Sequence, residues 1–230
     1  MNIYYASPSQ INNGFVELLD QEAKHVSKVM RAREGDPLTI VDGQGGRFQG
    51  RIRVITNDSV QVKIDKAEEV PRPRPQLVLG MGIIKKRDRL EFAVEKAIEL
   101  GASEVCLFRS ERTIKKNVRI DRLESIAVSA MKQSLQAWLP VIRMCNSLDE
   151  CLTSYKDAEC LVAHEKVEKQ DRSFTDTNSD KLLLMVGPEG GFSQSEIDKM
   201  VKQGATTVSL GENRLRTETA VTVFLSQFLI

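Results

Sequence analysis

Five consecutive apolar residues, Leu182-Leu183-Leu184-Met185-Val186, run without a polar position and stop at Gly187-Pro188-Glu189-Gly190-Gly191. A run with no alternation is the pattern of a strand covered on both faces, as inside a parallel sheet. Pro188 presets φ for a turn, while Gly190 and Gly191 permit positive φ and a close backbone approach. Ser193 with Glu196 three residues on is a capping box that opens a helix. The design repeats downstream. Thr206–Leu210 is a short β-prone strand broken at Gly211, and a charged loop leads into an apolar helix from Thr219 to Phe228. In open α/β sheets such loops lie at the carboxyl edge, where ligands bind. The pair is therefore expected to wall one pocket, against the alternative of two ordinary turns.

The first part of the chain carries a different rhythm. Asn2–Tyr5, Phe15–Leu18, Leu38–Val41, Gly46–Ile55 and Val60–Ile64 read as short strands, the last alternating as a half-buried antiparallel strand should. Asp42-Gly43 and Asn57-Asp58 supply turns. One helix, about Asp20 to Arg33, interrupts them and predicts a small barrel. On that helix Lys24, Lys28 and Arg31 fall at i, i+4 and i+7, opposite a stripe of Ala23, Val26 and Met30. Such a basic ridge is either a solvated face or a phosphate-binding one.

Three prolines within Pro71-Arg72-Pro73-Arg74-Pro75 hold an extended segment that neither a helix nor a central strand accepts. The domains are accordingly drawn as 1–70 and 71–230. Beyond the prolines, Gln76–Ile84 reads as a strand, Asp88 as the cap of a helix running to Leu100, and Gly101 as its stop. Glu104–Phe108 is the next strand, Arg119–Leu135 a helix, Glu159–Ala163 a strand and Asp171–Asp180 a polar loop. Alternation of this kind means an α/β domain around a parallel sheet. Basic residues follow two of the strand ends, at Lys85-Lys86-Arg87-Arg89 and at Arg109, Arg112, Lys115 and Lys116.

Composition sharpens the picture by exclusion. A chain of 230 residues has ample length for a core. Its net charge of +1 means that any basic surface is local. Four cysteines without a C-x-x-C pair fit free thiols in a reducing compartment, and two histidines argue against a zinc site. The absence of an apolar leader or a long apolar run predicts a cytoplasmic protein with no membrane and no metal. Neither a G-x-x-x-x-G-K-[ST] loop nor a G-x-G-x-x-G fingerprint occurs. The Gly187–Gly191 loop offers backbone amides and carbonyls, which suit an adenine edge and an amino-acid moiety better than phosphate.

Gly187-Pro-Glu-Gly-Gly-Phe-Ser193 and the segment Leu210 to Ala220, with its Leu215-Arg-Thr-Glu-Thr-Ala220 ending, resemble the ribosomal RNA small-subunit methyltransferase E family. Lys96-Ala-Ile-Glu-Leu-Gly101 is similar to that family's Lys-x-x-Glu-Leu-Gly segment. His25-Val-x-Lys-Val-Met-Arg31, Gly35-Asp36 and Asp42-Gly43 resemble its N-terminal domain. Two departures stand out: Leu210-Gly211-Glu212-Asn213 replaces a Gly-Pro-Arg-type turn, and Gln136 stands where the family usually has arginine.

The resemblance implies an α/β fold with a SPOUT-type parallel sheet ending in a C-terminal trefoil knot, preceded by a small PUA-like β-barrel domain. The knot and cofactor site would fall at about 160–230. It implies methylation of a uridine N3 in small-subunit ribosomal RNA, with S-adenosyl-L-methionine as cofactor, the RNA or small subunit as partner, and a homodimer. The cofactor is expected against His164, Val186, Gly187, Pro188, Glu189, Gly190, Gly191, Leu210, Gly211, Leu215, Arg216 and Thr217. RNA is expected on Lys24, Lys28, Arg31, Lys85, Lys86, Arg87, Arg112 and Lys115. Methylating N3 requires loss of its proton. Arg216 suits charge developing on the uracil oxygens, and Glu189 or Glu218 suits the base or its orienter. Two alternatives remain open at this point: an RNA-binding module without catalysis, and a ribose 2′-O-methyltransferase of the same fold. The only Asn-x-Gly here, Asn12-Asn13-Gly14, lies in the N-terminal part without the arginine that ribose-methylating relatives carry.

Overall fold

A computed structural model of the chain describes residues 2–113, 117–165 and 177–229. The chain folds as two compact units, Met1–Arg72 with Val128–Leu139, and Pro73–Ala127 with Pro140–Ile230.

The first unit holds β1 (Ile3–Tyr5), β2 (Ile11–Asn12), β3 (Phe15–Leu19), α1 (Asp20–Lys24), β4 (Pro37–Val41), β5 (Gly46–Ile55) and β6 (Ser59–Glu69). They form one sheet in the order β1-β4-β5-β6-β3-β2, antiparallel except for the β1–β4 pair. The alternation along β6 does what its pattern predicts: Val60 and Val62 are buried with Leu18, Ile40 and Ile52, while Gln61 and Lys63 face solvent. Residues 128–139 complete the unit. Trp138 Nε1 donates to Val70 O at 3.0 Å, and its ring packs so closely on Gly45 that a Cβ there would sit 2.5 Å away.

The expected α-helix from Asp20 to Arg33 is corrected. Five α-helical residues give way to a π-helical turn at His25–Val29, closed by Met30 N donating to His25 O at 2.9 Å. Arg31 then takes a left-handed φ of 50° and ends the element. Because i→i+5 bonding turns the helix more slowly than a 3.6-residue count assumes, the predicted stripe slips. Ala23 and Val26 are buried, but Met30 is 46% exposed. Lys24, Lys28 and Arg31 are all exposed, and they do not share one straight α-helical ridge.

The second unit adds β7 (Gln76–Gly82), α2 (Arg87–Glu99), β8 (Ala102–Phe108), α3 (Ile120–Gln133, whose end belongs to the first unit), β9 (Val141–Cys145), α4 (Leu148–Ser154), β10 (Glu159–Ala163), β11 (Lys181–Val186), α5 (Gln194–Lys202), β12 (Thr206–Val208) and α6 (Thr217–Ser226). Every strand pair is parallel, in the order β12-β10-β11-β7-β8-β9. All six carboxyl ends therefore open on one edge. The central strands β11 and β7 are buried from Leu182 to Val186 and from Leu77 to Gly82, as an unalternated run requires.

Several boundaries differ from the sequence reading. α2 begins at Arg87 with Lys86 at its N-cap, so Asp88 sits in the first turn and favours the helix through the dipole. α6 begins at Thr217, two residues before the expected start. β9 and α4 were not expected at all. β9 is an edge strand with Arg143 at its centre and only Cys145 buried, so its apolar signal is weak. The Asp171–Asp180 loop lies in part outside the described residues.

Candidate active site at the carboxyl edge

Among the described residues, three hydrogen bonds from neighbouring segments hold the glycine loop after β11. Lys85 N, in the loop after β7, donates to Glu189 Oε1 at 2.8 Å. Thr217 Oγ1, at the head of α6, donates to Gly187 O at 3.1 Å in a buried bond. Arg112, in the loop after β8, donates through Nη1 to Gly190 O. The residues that chain-order reading assigned to separate motifs are thus one structure. A Cβ on Gly187 would lie 2.9 Å from Phe192 N, so the loop closes only around a glycine. Positive φ belongs to Gly191, at 66°, and not to Gly190, which corrects the conformational reason given for Gly190. The three atoms nearest to a Cβ on Gly190 all belong to the Arg112 side chain, at 3.1, 3.2 and 3.7 Å.

The helix behind the loop is tied in with equal care. Ser193 caps α5, and Glu196 completes the box: Glu196 N donates to Ser193 Oγ at 3.2 Å and Ser193 N to Glu196 Oε2 at 2.8 Å. The other carboxylate oxygen accepts from Glu111 N at 3.0 Å. One buried carboxylate therefore joins the β11 loop to the β8 loop. The Ser193 and Ser195 hydroxyls hold the Glu111 carboxyl below the usual carboxylate range.

At the head of α6, Arg216 is the N-cap residue and is exposed, and its guanidinium has no partner among the described residues. Thr217 and Glu218 follow it into burial. Glu218 Oε1 lies 3.5 Å from Arg89 Nε, in the first turn of α2, while its Oε2 is buried without a hydrogen-bond partner among the described residues. β10 lies between β11 and β12, which puts His164 between the two loops expected to bind cofactor. His164 N donates to Val208 O at 3.0 Å, and Arg214 Nε pairs with Glu165 Oε2 at 3.4 Å, binding the loop after β12 to the turn after β10. Gly211 has φ 142°, and a Cβ on it would meet nothing within 4 Å. Val186 is buried at the end of β11, Pro188 is buried just beyond it, and Leu210 and Leu215 are half-buried.

The basic residues divide. Lys85 and Lys86 are exposed beside the glycine loop. Arg87 instead donates to Glu91 Oε1 one turn along its own helix, at 2.5 Å, and Arg112 is engaged by the glycine loop. Lys24, Lys28 and Arg31 belong to the other unit. Lys115 lies outside the described residues. Among the described residues no group of three or more His, Cys, Asp or Glu is arranged to hold a metal ion, and no helix is long and apolar enough to cross a membrane.

Two residues of this site escaped the sequence reading. Gly82 ends β7 directly against the loop, where a Cβ would stand 2.5 Å from Pro188 Cδ and 2.7 Å from Pro188 N. A glycine inside a strand pattern signals such an approach, so this one was legible. Arg89 stands in the sequence as part of a basic cluster, and nothing local announces its carboxylate partner.

A family model described as an RNA methyltransferase domain matches residues 71–229, and one described as an RNA methyltransferase PUA domain matches residues 18–65. The chain is 29% identical over 220 residues to the ribosomal RNA small subunit methyltransferase E of Bacillus subtilis, covering 90% of this chain and 86% of that protein. It is similar to the crystal structure of a probable rRNA-methyltransferase from Porphyromonas gingivalis, with TM-score 0.85, 35% identity, and coverage of 98% of this chain and 95% of that one. A Neisseria gonorrhoeae ribosomal RNA small subunit methyltransferase E, solved bound to S-adenosyl methionine, matches with TM-score 0.86, 26% identity, and coverage of 98% and 95%.

Proposed function

Because this chain belongs to the RNA methyltransferase family, we propose that it transfers a methyl group from S-adenosyl-L-methionine to the N3 atom of a uridine in small-subunit ribosomal RNA. The observation that carries the reading is the set of contacts gathering the Gly187–Gly191 loop, the loop after β7 and the head of α6 at one sheet edge. Its cofactor half is supported by the similar Neisseria gonorrhoeae structure bound to S-adenosyl methionine. Its RNA half is supported by the PUA match and by relatives named for small-subunit ribosomal RNA.

The residues present fit that cofactor. The space beside Gly191 and Gly211 is open, since a Cβ on either would meet nothing within 4 Å. His164, Val186 to Gly191, and Leu210, Gly211, Leu215, Arg216 and Thr217 would hold it, mostly through backbone groups. When bound, the cofactor supplies an electrophilic methyl on a sulfonium. The chain's own task is to orient the acceptor and manage its proton. Orientation in a near-attack geometry contributes about 7–11 kcal/mol in favourable cases. Arg216, exposed and without a partner among the described residues, stabilises negative charge developing on the uracil oxygens. Glu189 and Glu218 are the carboxylates at hand for the proton.

Residues 1–70, completed by 128–139, act as the PUA-like RNA-binding domain and the rest of 71–230 as the methyltransferase domain, with the C-terminal helix knotted through the chain. Lys24, Lys28, Arg31, Lys85 and Lys86 contact phosphate, and Arg112 serves first to brace the loop. The protein works in the cytoplasm on ribosomal RNA as a homodimer. Incubating it with small-subunit RNA or particles and methyl-labelled cofactor tests the reading. Label in the RNA is expected, and its absence with a folded protein that binds the cofactor would leave only an RNA-binding module.

A further inference from the structure

We propose that Glu218 takes the N3 proton of the target uracil on Oε2, the oxygen with no donor among the described residues, and that Arg89 is the residue that positions it. This rests on the uridine-N3 reading above. It deepens that reading by choosing between two carboxylates and by assigning a role to an arginine outside the sequence motifs.

The two carboxylates differ in what they have left to give. Glu189 is exposed, and its Oε1 is spent on Lys85 N at 2.8 Å, which makes it a clasp between the loops after β7 and β11. Glu218 is only 8% exposed. Its Oε1 faces Arg89 Nε at 3.5 Å, and its Oε2 is buried with no donor among the described residues. A buried carboxylate oxygen without a donor is costly, and folded proteins keep few of them. One retained at the head of α6, beside the Thr217 that holds Gly187 O and after the exposed Arg216, is placed to accept from a ligand. Its partner matters as well. A guanidinium does not give up a proton, so Arg89 fixes the rotamer and charge of Glu218 without protonating it. Arg89 reaches this place because α2 starts immediately after the loop that Glu189 clasps.

The step balances. The N3–H bond breaks and its proton passes to Glu218 Oε2. The electron pair left on N3 forms the N3–CH3 bond, while the methyl–sulfur bond breaks and leaves its pair on sulfur. Glu218 returns its proton to water when product leaves.

The test uses the full-length protein, small-subunit RNA or particles, and S-adenosyl-L-methionine, with turnover, RNA KM and calorimetric cofactor Kd measured separately. Product from the unaltered protein is identified first. If it is not 3-methyluridine, the uridine-N3 reading fails by itself. If it is, Glu218→Gln is expected to lower kcat by about 10²–10⁴-fold, the range for a general base. Cofactor Kd and RNA KM should stay within about threefold. Arg89→Ala is expected to lower kcat at least tenfold, Arg89→Lys to recover most of it, and the double variant Arg89→Ala/Glu218→Gln to be no slower than Glu218→Gln alone. Should Glu218→Gln not fold, Glu218→Asp carries the test, since it keeps the charge for Arg89 and withdraws the oxygen by one carbon. Unaltered kcat in a folded Glu218 variant overturns the proposal. So does weakened cofactor affinity with intact kcat, which would make Oε2 a cofactor ligand. Arg89 losses that persist undiminished in the Glu218→Gln background would separate the two residues and overturn the positioning role.

Discussion

Gly82→Ala puts a methyl group where Pro188 already stands. The new Cβ would lie 2.5 Å from Pro188 Cδ, 2.7 Å from Pro188 N and 3.3 Å from Gly187 C. Carbon atoms pack at about 3.5–4.0 Å, so the loop must retreat by roughly 1 Å. Overpacking of this kind costs about 1–3 kcal/mol. The retreat also draws on the Thr217–Gly187 and Lys85–Glu189 hydrogen bonds, each worth about 0.5–1.5 kcal/mol net. A total of about 2–6 kcal/mol corresponds to a melting temperature lower by about 4–24 °C in a domain of this size. The functional effect should be larger than the thermal one, since a displacement of about 1 Å can cost about 100-fold where geometry decides. Thermal unfolding with calorimetric titration of S-adenosyl-L-methionine measures both, and affinity should weaken at least tenfold. Gly80→Ala is the control. Its Cβ would press on the flexible Met185 side chain, at 2.3 Å from Sδ, so it should lower stability with little change in affinity. Unchanged cofactor affinity in folded Gly82→Ala would refute the idea that this contact shapes the pocket.

Glu196→Ala removes the acceptor of two backbone N–H groups, and denaturant unfolding should show a loss of about 2–4 kcal/mol, with Glu196→Gln losing less. The triple change Lys24, Lys28, Arg31→Ala should raise RNA KM and lower the salt slope of binding by about 2, leaving cofactor affinity and product unaltered; an unchanged slope in a binding titration makes these residues a solvated face. Gly190→Val, with no positive φ to forbid it, should weaken cofactor binding less than Gly82→Ala does in the same calorimetric series. Burial pushes the Cys145 thiol from 9.0 up to about 12, so the folded state holds a proton that the unfolded state releases above pH 9. That contribution to stability is complete below pH 9 and is lost as pH rises toward 12, and thermal melts across this window should show a falling transition.

Local signals carried far in this chain, and long-range ones did not. The unbroken Leu182–Val186 run and the Ser193–Glu196 box announce a buried strand, a loop and a helix start without tertiary information, and the structure has all three. β9 was hidden because an edge strand buries little and Arg143 breaks its apolar pattern. The π-helical turn at His25–Val29 was hidden because residue counting assumes i→i+4 bonding throughout. Residues 128–139 join the first unit although helical periodicity runs on through Gln133, since periodicity does not report which core a face enters. The site divides in the same way. Its glycine loops were readable, and Gly82 inside a strand pattern signals a close approach, whereas the Arg89–Glu218 pair joins residues far apart in sequence. The strand order β12-β10-β11 is likewise a property of the chain path, on which hydrophobic pattern is silent.

Nucleoside mass analysis of small-subunit RNA treated with this protein and methyl-labelled S-adenosyl-L-methionine tests the central claim most directly. The account predicts labelled 3-methyluridine at a single position, abolished or strongly slowed by Arg216→Ala while RNA still binds. Label recovered as a 2′-O-methyl nucleoside, or as another methylated base, would contradict it.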